Sequence, residues 1–236
     1  QDMMTELYKG EQERIAYEKQ KRDMEYDITL SQINPHYLYN VLNTVVYLSA
    51  AGKNQDVVKI VHSLIYTLHD TLKVGDGNVE TTIEKELELT KCYLDIQRYR
   101  YPDVFQVEVK CEEGLKDCLV PKTMIQPLVE NAILHGILPT EASGKIWIII
   151  QKQGGKLCVM VKDEGIGVSK EQLKRFKQGE TMAENKTRKH IGVENVRDRI
   201  RYLYGEGFGM EIQSTQGKGT TVILTLPVKR AEEKER

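Results

Sequence analysis

Pro127-Leu128-Val129-Glu130-Asn131-Ala132-Ile133-Leu134-His135-Gly136 and Asp163-Glu164-Gly165-Ile166-Gly167 stand on either side of two apolar, β-branched runs, Lys145–Gln151 and Lys156–Val161. The first stretch is mostly apolar and reads as a buried helix over 123–137, with Asn131 and His135 four apart on one face. The second follows a strand and precedes a helix. Its two glycines let the backbone fold tightly, while Asp163 offers a carboxylate acceptor. Outward from this centre, Val104–Val109 alternates as a strand. Gly217-Lys218-Gly219-Thr220-Thr221 opens another, Thr220–Leu226, and a further apolar helix spans 192–204. Strands and helices in this mixture predict an α/β sandwich with one sheet face covered by helices.

Ahead of it the texture is helical. Leu42, Val45, Val46 and Leu48 recur at helical spacing; Ala51-Gly52-Lys53-Asn54 breaks the pattern, and Val57, Val61, Leu64, Leu68 and Leu72 resume it. Two helices joined by so short a turn lie antiparallel, and a second copy would complete a four-helix bundle, so a homodimer is expected. Leu38, Leu42 and Val45 are expected to face the bundle core. Thr81 with Glu84 reads as a capping box opening a third helix that ends near Pro102. Residues 1–30 carry thin apolar positions at Leu7, Ile15, Tyr17, Met24 and Ile28, as in a solvated helix or loose coiled coil. The fold class is therefore α+β, with a helical dimerisation hairpin followed by the sandwich.

Composition narrows the function. The 236 residues hold 34 Lys+Arg against 35 Asp+Glu, a net charge of -1, so there is no basic field to hold nucleic acid by counterion release. Nucleic acid is not an expected partner. The longest apolar run, Ile146–Ile150, is far short of the ~18 residues that a membrane span needs. Cys92, Cys111, Cys118 and Cys158 form no CxxC pair, and the five histidines have no zinc-ligand spacing, which points to buried thiols in a reducing compartment.

The helix with Asn131, the Asp163–Gly167 loop and the glycines at 192 and 217–219 occur together in an order that resembles the GHKL family of ATP-binding domains over about residues 104–228. The resemblance implies that Asn131 coordinates the magnesium bridging the ATP phosphates and that Asp163 accepts from the adenine amino group. Gly165 and Gly167 would let the backbone approach the nucleotide. Thr221, or Thr220 beside it, would support the adenine contact, and His135, Gly192, Gly217 and Gly219 complete the ATP-binding set. An asparagine oxygen is a hard neutral ligand suited to magnesium. Glu180–Lys189 would be a lid over the triphosphate. The chain departs from the family at His190-Ile191-Gly192, where only the second glycine of a Gly-x-Gly is kept.

Ile33-Asn34-Pro35-His36-Tyr37-Leu38-Tyr39-Asn40, with Leu42-Asn43, resembles the phosphoacceptor motif of LytS/YesM-type sensor histidine kinases, and Tyr93-Leu94-Asp95-Ile96-Gln97-Arg98-Tyr99-Arg100 matches their connecting segment. Pro35 removes a helical hydrogen bond, so His36 is expected at a kink and turned to solvent. The resemblance implies that His36 is phosphorylated from ATP and that the phosphoryl group passes to an aspartate on a response regulator receiver domain. The position after the histidine, often a carboxylate in histidine kinases, is Tyr37; Asn40, one turn on, is the candidate to orient the ring.

On this reading residues 1–30 form an incoming signalling helix, 31–74 the dimerisation and phosphotransfer hairpin, 75–103 a connecting helix and 104–230 the ATP-binding domain. The family is usually membrane-anchored, so the chain is expected to be the cytoplasmic portion of a longer protein. A GHKL hydrolase is the alternative, and it would need a glutamate where Pro127 stands, four residues before Asn131; Glu130 is next to Asn131 and about 100° from it around the helix. A nucleotide-binding scaffold without kinase activity is a further one.

Overall fold

The computed structural model describes residues 35–72, 79–177 and 191–230. The expected helix over 1–30, the segment Glu180–Lys189 and His190 lie outside the described residues. So do the residues ahead of Pro35 on which the kink at His36 depends. The chain divides into two compact units, Gln1–Asn78 and Val79–Arg236.

In the first unit, α1 (Pro35–Ala50) and α2 (Asn54–Leu72) are joined by a three-residue turn in which Gly52 takes φ 71°, a left-handed conformation that costs glycine nothing. Val41 and Leu48 on α1 and Ile60 and Leu64 on α2 are buried within the hairpin. Thr44 belongs to the same buried set, and its hydroxyl donates to the Asn40 carbonyl at 2.9 Å. Leu42 and Val46 are instead 52% and 67% exposed, as are Val58 and Ile65 on α2 to a similar degree. Within one hairpin it is Val41 that fills the seam, and Leu42 belongs to a second apolar stripe that a single hairpin leaves open.

The second unit begins with β1 (Glu80–Thr82), which pairs antiparallel with β3 (Leu119–Pro121). The helix α3 (Ile83–Arg100) follows at once. Its cap is Thr82, whose hydroxyl accepts from the Lys85 amide, one residue on from the expected Thr81–Glu84 box, because Thr81 is buried in mid-strand and Thr82 is the strand's last residue. It stops before Pro102, which disfavours helical geometry in the residue ahead of it.

The main sheet comprises β2 (Phe105–Cys111), β4 (Gly144–Gln153), β5 (Lys156–Asp163), β6 (Gly209–Thr215) and β7 (Gly219–Pro227) in the order β2-β4-β5-β7-β6. Only β2–β4 is parallel; the other pairings are antiparallel. Registers Ile148↔Val161 and Val161↔Val222 put these residues on one buried face. That face is covered by α4 (Ile125–Asn131), through Leu128, Val129 and the following Ile133, and by α6 (Ile191–Tyr204), through Val193, Val196 and Ile200. The α3 helix packs beside α4 in the same unit, and a short α5 (Lys170–Lys177) lies against β6. Strand β6 was not foreseen, since Met210-Glu211-Ile212-Gln213-Ser214 has no apolar run. All four cysteines are free thiols, and burial raises the pKa of Cys118 and Cys158.

Candidate nucleotide site

Asp163 ends β5 on the helix-covered face and is only 5% exposed. One carboxylate oxygen, Oδ1, accepts from the Gly165 amide at 2.8 Å and the Thr220 amide at 3.2 Å. Burial raises the carboxyl pKa, and these two amides partly oppose the rise. Among the described residues no hydrogen bond reaches Oδ2. A buried carboxylate with one oxygen satisfied and the other open is an acceptor waiting for an N–H, the donor that an adenine amino group carries.

The glycines have a reason beyond ligand approach. A Cβ on Gly165 would lie 2.2 Å from the Gly136 carbonyl carbon, one on Gly219 2.0 Å from the Asp163 carbonyl oxygen, and one on Gly167 2.2 Å from the Thr215 carbonyl oxygen. Gly167 and Gly219 also take φ 67° and 93°. Ile166 donates its amide to the Gly136 carbonyl at 2.9 Å and accepts from Gly217 at 2.6 Å. The Asp163–Gly167 loop is therefore clamped backbone to backbone between the helix that carries Asn131 and the turn joining β6 to β7. Gly217, at φ 78°, makes that turn with open space around it.

Gly136 reaches Asp163 because the helix changes pitch. After Asn131 the α-helical pattern gives way to a π-helix over Ala132–Ile137 and then a 3-10 turn over Leu138–Thr140. The Ala132 amide is shared between the Leu128 and Val129 carbonyls where the change begins. Such wide turns concentrate at functional sites. The simple four-residue spacing of Asn131 and His135 therefore spans the junction of two helix types; both residues are half-buried. Burial alone pushes up the pKa of Glu130, beside Asn131.

Thr221 is not beside Asp163. It pairs with Lys162 and Gln213 on the opposite face of the sheet, and Thr220 lies on the buried face with its hydroxyl 3.0 Å from that of Ser214. Of the two threonines, Thr220 is the one on the face of Asp163. Gly192 opens α6 against α4, where a Cβ would meet the Pro127 Cβ at 3.3 Å. His36 is the second residue of α1, and Asn40 is half-buried one turn on; both belong to the other unit. Two residues that sequence reasoning passed over, Glu86 and Arg199, meet at the start of α4. The only signal for Glu86 was its helical spacing with Ile83, Thr90, Tyr93 and Gln97.

Among the described residues no three His, Cys, Asp or Glu side chains converge, and no helix is long and apolar enough to cross a membrane. A magnesium ion carried by phosphate oxygens and water takes only one or two protein ligands, which an asparagine such as Asn131 can supply.

Two family profiles match the chain: "Histidine kinase" over residues 24–105, and "Histidine kinase-, DNA gyrase B-, and HSP90-like ATPase" over residues 117–230. Sensor histidine kinase YesM of Bacillus subtilis (strain 168) is 31% identical over 225 residues, 95% of this chain and 37% of that protein. The chain belongs to the YesM and LytS type of sensor histidine kinases. Sensor histidine kinase/phosphatase LytS of Staphylococcus aureus (strain Mu50 / ATCC 700699) is 30% identical over 213 residues, 90% of this chain and 36% of that one. The chain spans little more than a third of the length of these kinases. The histidine kinase domain of the Erythrobacter litoralis EL346 blue-light activated histidine kinase aligns at 15% identity and a TM-score of 0.47, over 76% of this chain and 82% of that one. In this family of kinases the ATPase-type domain is the ATP-binding part, and here it is residues 117–230.

Proposed function

We propose that this chain is the catalytic portion of a dimeric sensor histidine kinase that phosphorylates His36 from ATP and passes the phosphoryl group to an aspartate of a response regulator receiver domain. The observation that carries the ATP half is the Asp163 carboxylate, buried, with Oδ1 held by two amides and Oδ2 open. Asp163 Oδ2 accepts from the adenine amino group, Thr220 and Gly165 fix the carboxylate, and Asn131 supplies an amide oxygen toward the phosphates. Magnesium, when bound, neutralises charge on the triphosphate. His36 attacks through the lone pair of a neutral imidazole nitrogen. A ring nitrogen bonds the γ-phosphorus, ADP departs, and the ring N–H proton leaves to solvent. Asn40 orients the ring; Asn40→Ala with an unchanged transfer rate would remove it from that role.

Dimerisation is supported by the second apolar stripe of Leu42, Val46, Val58 and Ile65, which one hairpin leaves open and two hairpins would bury. The proposed parts are the incoming helix to residue 30, the hairpin to 74, the connecting helix to 103 and the ATP-binding domain to 230. Placement on the cytoplasmic side of an inner or plasma membrane, through segments outside this chain, belongs to the same proposal and rests on the family.

Incubation with ATP and magnesium, followed by peptide mapping under alkaline conditions, tests it. Phosphohistidine at residue 36 is expected; bound nucleotide with every histidine unmodified contradicts it.

A further inference from the structure

Glu86 sits in the first turn of α3, where an acidic residue ordinarily complements the helix dipole from solvent. It is instead 1% exposed. Its carboxylate reaches across to the start of α4: Oε1 accepts from the Thr123 amide at 2.6 Å, and Oε2 from the Met124 and Ile125 amides at 2.9 and 3.1 Å. These amides are donors that a helix start leaves without partners of its own, and one side chain satisfies three of them. Thr123 takes φ 56°, which a β-branched residue rarely adopts, so the turn into α4 is held away from its relaxed geometry.

Arg199 of α6 closes the same corner. Its Nη1 donates to the Lys122 carbonyl, and its pKa is lowered by burial while the Glu86 charge opposes that fall. Higher up, Gly192 of α6 packs on Pro127 of α4. The two helices thus run side by side from residue 192 to the corner held by Glu86.

We infer that Glu86, supported by Arg199, is a positioning residue that sets the rotation of α4 about its axis and thereby the place of Asn131 at the nucleotide phosphates. The inference rests on the kinase reading above. Asn131 lies six residues beyond Ile125, about 9 Å along the axis. At a side-chain radius of about 5–6 Å, a roll of roughly 20° displaces its amide by about 2 Å. Displacements of ~1 Å at a reacting centre cost on the order of 100-fold in rate. Asp163 is carried by β5 and its carboxylate is held by the Gly165 and Thr220 amides; the tie of its loop to the helix is made beyond the π turn, at Gly136, so the adenine end depends less on this corner than Asn131 does.

That separation gives the test. ATP affinity of the whole chain is measured with magnesium and again in EDTA, for wild type, Glu86→Gln, Arg199→Gln and Asn131→Ala, alongside phosphohistidine formation and thermal melts. Glu86→Gln keeps its EDTA affinity within about twofold, loses at least about fivefold of the magnesium-dependent gain, and forms phosphohistidine ~10–100-fold more slowly. Combined with Asn131→Ala it causes no further loss of that gain. A merely structural role lowers both affinities together, in step with the melt, and that result overturns the inference. So does a folded Glu86→Gln with the wild-type gain. Arg199→Gln carries the same readout if Glu86→Gln does not melt cooperatively. A wild type with no magnesium-dependent gain, or an Asn131→Ala that keeps it, removes the assignment of Asn131 and this inference with it.

Discussion

A Cβ on Gly165 would lie 2.2 Å from the carbonyl carbon of Gly136, so the loop after β5 and the helix carrying Asn131 touch through bare backbone. The contact is reinforced by the Ile166 amide on the Gly136 carbonyl at 2.9 Å. Neither chain can retreat without breaking the Asp163 hydrogen bonds. Gly165→Ala is expected to destabilise the second unit by more than about 3 kcal/mol, beyond ordinary overpacking, because backbone and not a side chain must move. Denaturant melts without nucleotide check this, and a wild-type midpoint would contradict the packing account.

Asp163→Asn separates binding from stability. Burial raises the carboxyl pKa in the folded state, so the folded protein holds that proton more tightly than the unfolded chain does. Stability contributed by the protonated form is complete below the unfolded value of ~3.9 and is lost as pH rises through the folded value. Asparagine keeps an oxygen for the Gly165 and Thr220 amides without the charge. The variant is expected to melt higher than wild type at pH 7, with the difference shrinking toward pH 4, while ATP affinity falls at least ~10-fold. A lower melt at pH 7, or unchanged affinity, would count against the assignment.

Asn131→Ala removes a half-buried amide from the end of the α-helical segment, where no packing role is evident. Melting is expected within about 0.5 kcal/mol of wild type, as for sites away from the core. Phosphohistidine formation with magnesium is expected to fall at least ~100-fold, comparable to losing one group that stabilises transition-state charge. Kinase activity near the wild-type level would contradict the assigned role.

Leu42→Glu probes the open stripe. Leu42 is 52% exposed in one hairpin, so the fold of the monomer should be little affected. Losing a buried leucine contact costs ~1.5–3 kcal/mol, or roughly 10–100-fold in the dimer Kd, before charge repulsion between the two copies is added. Sedimentation equilibrium checks it; Val41→Ala, in the hairpin seam, should instead lower the melt. A Leu42→Glu dimer as tight as wild type would place the interface elsewhere.

Much of this was legible in the sequence because it rested on periodicity. The apolar runs gave β4, β5 and β7, the 3.6-residue rhythm gave α1, α2 and α4, and Pro102 marked the end of α3. What failed was set by parity or by distant partners. Thr220 and Thr221 differ by one residue, and only the register with Lys162 says which one turns to the helices. The cap moved to Thr82 because β1, paired with residues 119–121 far along the chain, keeps Thr81 in mid-strand and ends at Thr82. The π turn at Gly136 follows from a fit to Asp163 that no local rule encodes. Glu86 looks like any acidic residue near a helix start until the amides of Thr123–Ile125 are seen to converge on it.

The most direct measurement is incubation of the whole chain with γ-labelled ATP and magnesium, wild type beside His36→Ala, with acid and alkali treatment of the labelled protein. The account predicts label that is acid-labile, alkali-stable and absent from His36→Ala. Label that survives the substitution, or release of free phosphate at the same rate in both proteins with none retained, would contradict it.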